Sequence, residues 1–284
     1  MKPSQNLQLS PAIRQRHAAL IAGSGREKWI TALVVSAMAG LALFALLRLD
    51  VSLSQLGAGL VQLGTFLSLM VPPSPGTQFD RLLEALAETV AIAFLGTLLA
   101  ALISFPLGFL AARNTTVNAF VRWLTRRSAD TIRGVDTLIW ALIWINVVGL
   151  GPFAGVLAIM TSDIGSFTKL YSEAIEAVEH KASEGVLSSG GSRLHALRFG
   201  IVPQVLPVLI SQVLYFFESN TRSATIIGIV GAGGIGLFLA ERIRTFEWDQ
   251  VAFIVLMILL TVALIDWVST RLRIALVGKR HIAL

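Results

Sequence analysis

The chain has 284 residues, of which 55% are hydrophobic and only 14% charged, and its mean hydropathy is +0.74; soluble domains carry nearer a quarter charged. That excludes an ordinary water-soluble enzyme and makes a bilayer the solvent. The lack of cysteine excludes a disulfide framework and thiolate metal chemistry. The net charge of +6 points to charge sorted across a membrane, with no nucleic acid expected as a partner.

Residues 1–28 are polar and basic (Lys2, Arg14, Arg16, Arg26, Lys28) and read as a cytoplasmic tail. Trp29 to Leu47 is a run of nineteen residues without a charge. At ~1.5 Å per residue it crosses a hydrocarbon core of about 30 Å, and it makes the first span. Ala37-Met38-Ala39 resembles a cleavage site, but the apolar run continues past it, so an uncleaved anchor is expected. Val51 to Met70 is also uncharged. Its leucines at 53, 56, 60, 63 and 67 repeat at three and four between Gln55, Gln62, Thr65 and Ser68, the pattern of an amphipathic helix lying along the periplasmic-side interface. Pro72-Pro73-Ser74-Pro75-Gly76 ends this first region, 29–80.

The main transmembrane domain is expected over 81–275, with 276–284 as a cytoplasmic tail. Thr89 to Ala112 supplies twenty-four uncharged residues for the second span, with Pro106 and Gly108 as a kink signal. Between Arg113 and Arg133 five arginines face one acid, Asp130, which assigns that segment to the cytoplasm. Thr137 to Ser162 is interrupted by Gly149-Leu150-Gly151-Pro152 and reads as one kinked span or two. Two are expected, because only then do the later basic segments share a side with the N-terminus. Asp163 and Asp266 are read as span ends. Val202–Phe217 and Thr225–Ala240, flanking polar Glu218–Ser223, give the fifth span, and Val251–Ser269 the sixth. The expected fold is all-α and polytopic, with six transmembrane helices and both termini cytoplasmic.

The polar stretch Glu173 to Pro203 is too rich in charged and His side chains to lie in lipid. Gly190-Gly191 turns the chain, Leu194 and Leu197 share a helical face, and Val202-Pro203 opens the next helix. It reads as a short helix held in water for a partner to grip. Glu184-Gly185-Val186, three residues, Gly190, nine residues and Gly200-Ile201-Val202-Pro203 resemble in spacing the EAA loop of the membrane subunits of ABC importers. Glu, Gly and Pro match that pattern, while Gly185 and Val186 stand where it has alanines and Gly200 where it has isoleucine. Three further runs, GLGPFAGVLA (149–158), PQVLP (203–207) and FESNTRSATIIGIVGAGGIG (217–236), resemble the phosphonate importer permease, and the likeness extends from about Leu83 to Arg273.

That resemblance implies a type I permease in the bacterial inner membrane, working as a homodimer. Its partners would be two copies of a cytoplasmic ATP-binding subunit, which hold ATP and Mg, and a periplasmic phosphonate-binding protein. This chain then carries no cofactor and no catalytic residue, and moves phosphonate, phosphite, hypophosphite or a phosphate ester. Glu184, Gly185, Gly190, Arg193, His195, Leu197 and Pro203 would couple it to the ATPase.

Glu218 and Arg222, four apart on a helix, can meet on one face. With Ser219, Asn220, Ser223 and Thr225 they offer a polar lining for an oxyanion pathway, Arg222 presenting a planar fork suited to phosphoryl oxygens. A purely structural ion pair is the alternative reading. Gly231, Gly233, Gly234 and Gly236 satisfy G-x-G-x-x-G, but lie in a membrane-length apolar run without the acid about twenty residues on that a dinucleotide site needs. They read instead as a close-packed gate. The four histidines, 17, 180, 195 and 281, lack metal-ligand spacing, and there is neither a nucleophile elbow nor a phosphate-binding P-loop. Two alternatives are an ion-coupled secondary transporter of a small anion, using Glu218, Asp163 or Asp266, and a membrane oxidoreductase built on the glycine run.

Overall fold

The computed structural model describes residues 25–48, 53–116 and 118–277, and every regular element among them is a helix. The expected N-terminal tail (to residue 24), the end of the C-terminal tail, His17 and His281 lie outside these residues. The chain divides into two units, 1–66 and 67–284.

In the first unit, α1 (Gly25–Arg48) exposes apolar side chains all round, Trp29 at 79% and Leu47 at 72% among them. Such a helix needs lipid or another subunit over it. The next helix, α2 (Leu53–Leu69), has 17 residues and a length of about 26 Å, short of a full crossing.

The second unit is organised by α3 (Phe79–Ala111), which packs along α6 (Pro152–Glu176) and against α8 (Val202–Ile229). Small residues recur along its buried face at Ala85, Thr89, Ala93, Gly96, Ala100, Ser104 and Gly108. In a bilayer, where apolar burial gives little drive, such residues let backbones touch. The contact is close: a methyl on Gly96 would stand 2.8 Å from Ile159, and one on Gly108 2.7 Å from Tyr171. The apolar core gathers around Ile92, Ile159 and Ile227 in one layer, and around Phe167, Tyr171, Ile175 and Val205 in another. A third cluster joins Leu82 to Ile235 and Ile254, the last on α10 (Trp248–Val277).

Four described helices are long and apolar enough to cross a membrane: Trp29–Arg48, Phe79–Ala111, Arg193–Ile229 and Trp248–Ala275. A fifth arises only if α4 (Ala119–Arg133) and α5 (Thr137–Val148), bent by 88°, count as one. The stretch from Thr137 to Ser162, expected to hold two spans, is divided between two helices, α5 and α6, turning at Gly149 (φ +91) and Gly151 (φ +130), and α6 is not among the helices apolar enough to cross. Their dimensions differ from expectation. With 12 residues, α5 is only about 18 Å long, while α6 continues past Ser162 to Glu176. Asp163 therefore lies in mid-helix and is 5% exposed, not at a span end. A partner on another helix makes this tolerable, as described below. Asp266 likewise falls within α10, with its side chain 56% exposed.

Further corrections follow from where helices start and stop. Glu173 to Glu176, expected to begin the polar stretch, form the last turn of α6. The second span begins ten residues before Thr89, so Glu84 and Glu88 ride on α3. The run Thr225–Ala240 is divided by a turn between α8 and α9 (Ile235–Arg244).

Candidate coupling surface, polar face and glycine turn

At the arginine-rich end, Arg126 on α4 clamps three elements together. Its Nη2 lies 2.6 Å from Glu176 Oε1 on α6, and its Nε donates to the Ala111 carbonyl that ends α3, at 2.8 Å. Glu176 Oε1 also accepts from the Arg113 backbone N–H at 2.7 Å, and Asn114 Nδ2 donates to the Ile175 carbonyl. A cation on the last carbonyls of α3 suits the negative end of its dipole.

This clamp anchors the segment that follows. The short helix α7 (His180–Ser188) ends in a paired turn: Gly190 N–H donates to Leu187 O and Gly191 N–H to Val186 O, both at 3.0 Å, with Gly190 at φ +86. These two bonds and one left-handed residue make a Schellman motif, which requires glycine or asparagine at that position. Ser192 then caps the next turn, its Oγ accepting from His195 N–H while His195 Nδ1 accepts from Ser192 N–H. Ala196–Ile201 follows as a π-helical turn leading into α8, where Pro203 occupies the first turn. Gly200 lets this turn lie against α7, because a methyl there would stand 2.8 Å from Ser183 Cα.

Between α7, the π turn and residues 114–116 runs a cleft of about 500 Å³, bordered by Glu184, Arg193 and Leu197. Among the expected coupling residues these three meet there, whereas Gly185 is exposed with open space around it, His195 serves as a local cap, and Pro203 is exposed at the start of α8. Leu194 and Phe199 stand in the open at 75% and 60%.

On α8 the expected polar lining separates onto two faces. Asn220, 5% exposed, points into the bundle, where its Nδ2 donates to Thr97 Oγ1 on α3 at 2.8 Å and to Asp163 Oδ2 on α6 at 2.5 Å. Thr225 is buried too and bonds its own helix at Thr221 O, but seven residues on from Glu218 it lies on that residue's side of the helix, where its carbonyl meets Gly236. On the other face Glu218 lies 3.5 Å from both Arg222 and Arg273, and Arg273 approaches Asp266 at 4.0 Å. Glu218 is mostly covered at 12% exposure, while Arg222 is open at 53%. Ser219 and Ser223 lie between the two faces, Ser223 Oγ donating to the Ser219 carbonyl.

The expected gate glycines form a tight turn against α3 and the α5–α6 corner. Gly231, Gly233 and Gly234 have φ of +105, +86 and +75. Gly231 O accepts from Gly151 N–H at 3.0 Å. Glu88 Oε1 accepts from Gly234 N–H and Thr89 Oγ1 from Ile235 N–H, so α3 caps the start of α9. A methyl on Gly233 would meet Pro152 N at 2.8 Å, one on Gly234 would strike Thr89 Oγ1, and one on Gly236 would strike the Thr225 carbonyl.

Glu88, Thr89, Thr97, Arg126, Glu176 and Arg273 are the site residues that sequence reasoning missed. For Glu88 a signal exists: it is the last acid before a long apolar run, one residue ahead of an otherwise clean span. Among the described residues no group of three or more His, Asp or Glu is placed to hold a metal.

The pattern describing binding-protein-dependent transport system inner membrane components matches residues 104–276. A Stutzerimonas stutzeri protein named as a phosphite transport system permease protein is 38% identical over 232 residues, 82% of each chain. One from Escherichia coli K12, named as a cryptic phosphonate transport system permease protein, is 48% identical over 118 residues, 42% of this chain and 97% of that one. Among solved structures, the inward-facing MetNI methionine ABC transporter has a chain that superposes with a TM-score of 0.63 at 17% identity, covering 72% of this chain and 99% of that chain. This last likeness concerns the fold alone.

Proposed function

Because the chain belongs to the family of binding-protein-dependent transport system inner membrane components, we propose that it is the permease of an ABC importer for a phosphorus oxyanion. Phosphite and phosphonate, the compounds named for the two relatives, share a tetrahedral PO₃ group with one substituent that is not oxygen. That shared group is the proposed cargo class. Energy would come from ATP and Mg held by two cytoplasmic ATP-binding subunits, and substrate from a periplasmic binding protein.

The observation that carries this reading is the exposed hairpin at the arginine-rich end. Its short helix α7, Schellman turn, open Leu194 and Phe199, and cleft beside Glu184 make a rigid shape with apolar points in a polar surround. That is what a groove on a motor subunit can grip. Basic residues concentrated at this end favour its lying in the cytoplasm, with the glycine turn toward the periplasm and both termini inside. The open Arg222 face of α8 would meet the second copy of a homodimer around the path.

Uptake of radiolabelled phosphite or methylphosphonate into proteoliposomes tests it. ATP-dependent uptake that requires added ATPase and binding protein is expected. Uptake driven by a proton gradient alone would replace this reading with the secondary transporter. Native mass spectrometry of the assembled complex is expected to count two copies of this chain.

A further inference from the structure

Apart from the coupling cleft, α4 and α6 enclose a second cavity of about 230 Å³, bordered by Arg126, Arg127, Asp130, Arg133, Thr168 and Lys169. A water's share of liquid volume is ~30 Å³, so the space takes several waters or one tetrahedral anion. Cations outnumber acids on its wall, since Asp130 and Glu173 face Arg126, Arg127, Arg133 and Lys169. Asp130 lies 3.3 Å from Arg133 and 3.6 Å from Arg127, and Glu173 lies 3.7 Å from Lys169. Such half-exposed pairs three or four residues apart hold their partners weakly, at about 0–1 kcal/mol, and an anion with two or three oxygens competes well for the same cations. Thr168 supplies a different kind of signal. It is 1% exposed, and its hydroxyl has no hydrogen-bond partner. A buried hydroxyl left unmatched is costly, and it lies in the wall of the cavity, where a small rotation would bring it to an acceptor inside.

The setting of α4 points to the source of the anion. The helix turns 88° from α5 and so lies in the membrane plane when α5 stands along the normal. Phe120, Trp123 and Leu124 are exposed at 64%, 57% and 49%, with the Phe120 and Trp123 rings stacked 6.2 Å apart. At about 100° per residue Arg127 shares the side of the helix that carries Phe120, Trp123 and Leu124, while Arg126 and Arg133 lie opposite. Aromatic and leucine side chains interleaved with and backed by arginines suit the level where lipid phosphates sit.

We propose that the cavity between α4 and α6 binds a phosphate group at the inner membrane surface, supplied by an anionic phospholipid headgroup. The proposal rests on the functional reading above only in naming the leaflet. Arg127, Arg133 and Lys169 contact the phosphate oxygens, with Thr168 beneath them in the wall of the cavity.

The full-length chain in neutral detergent is titrated with dioctanoyl phosphatidylglycerol, dioctanoyl phosphatidylcholine and inorganic phosphate, following the thermal unfolding midpoint. Phosphatidylglycerol is expected to raise the midpoint and phosphatidylcholine to leave it unchanged. Joint Arg127→Gln and Lys169→Gln substitution, which spares the Arg126–Glu176 clamp, is expected to weaken half-saturation at least tenfold. Arg122→Gln, which removes a charge from α4 outside the cavity, is expected to leave half-saturation as it was. Native mass spectrometry of retained phosphatidylglycerol gives a second readout, with loss expected in the double variant alone. A shift produced equally by inorganic phosphate, and lost in the double variant, sustains the site and assigns it to free phosphate. A shift that survives undiminished in the folded double variant, or no response to either anion in the unmodified chain, overturns the proposal.

Discussion

Asn220 of α8 donates to Asp163 of α6 at 2.5 Å while the same amide nitrogen reaches Thr97 of α3. One side chain thus ties three buried helices together at a point where water cannot substitute. Asp163→Asn keeps an acceptor for the amide and is expected to be nearly neutral. Asp163→Ala and Asn220→Leu each leave a buried polar group without its partner, and should destabilise the protein by about 1–3 kcal/mol. Thermal unfolding of the purified chain checks the order, and equal loss in Asp163→Asn would show that charge rather than hydrogen bonding holds the site.

Arg222 and Arg273 share Glu218 at equal distances, but only Arg222 is open. Arg222→Ala leaves Glu218 its second cation, so stability should change by no more than about 1 kcal/mol. Uptake of the oxyanion should fall at least tenfold. A large fall in midpoint with normal uptake would make the pair structural.

Gly190 has its φ at +86 and nothing within 4 Å of where a methyl would be. Backbone conformation alone is at stake there. Asn tolerates this region and β-branched residues do not. Gly190→Asn is expected to keep coupling, while Gly190→Val should leave ATP hydrolysis by the assembled complex running without uptake. Paired ATPase and uptake assays measure the difference.

Gly234 differs in having both a left-handed backbone and Thr89 where a methyl would fall. Gly234→Ala should abolish uptake and lower the unfolding midpoint, since its φ of 75 with ψ of −168 is a conformation essentially confined to glycine, with a backbone cost alone of about 1–3 kcal/mol. Gly40→Ala in α1, where a methyl meets nothing within 4 Å, serves as the neutral comparison.

Much of this arrangement is visible in the amino-acid pattern because it is local. Gly149 to Pro152 announces the α5–α6 corner, and Gly190-Gly191 announces the Schellman turn, through conformations that few other residues adopt. Asp163 is different, because Asn220 lies 57 positions away, and a carboxyl without a visible partner is naturally assigned to a span end. The role of Glu88 is hidden for the same reason, since its partner is a backbone N–H 146 residues on. The placing of Glu218 and Asn220 on opposite faces follows from helical geometry: about 100° per residue turns Asn220 roughly 200° from Glu218. Which of those faces meets the bundle is decided by α3 and α6, and only their packing reveals it.

The helix from Arg193 to Ile229 continues through the π turn for 37 residues, about 55 Å end to end. Its two extremities are therefore locked in angular phase. On the proposed coupling role, a torque applied at Arg193 would reach the glycine corner as rotation of the same shaft, turning against the Asn220 contacts. Adding a single residue near Ser211 would advance everything beyond it by about 100°. Arg222 would then swing away from its open side, and the two ends of the shaft would fall out of step although each kept its own local structure.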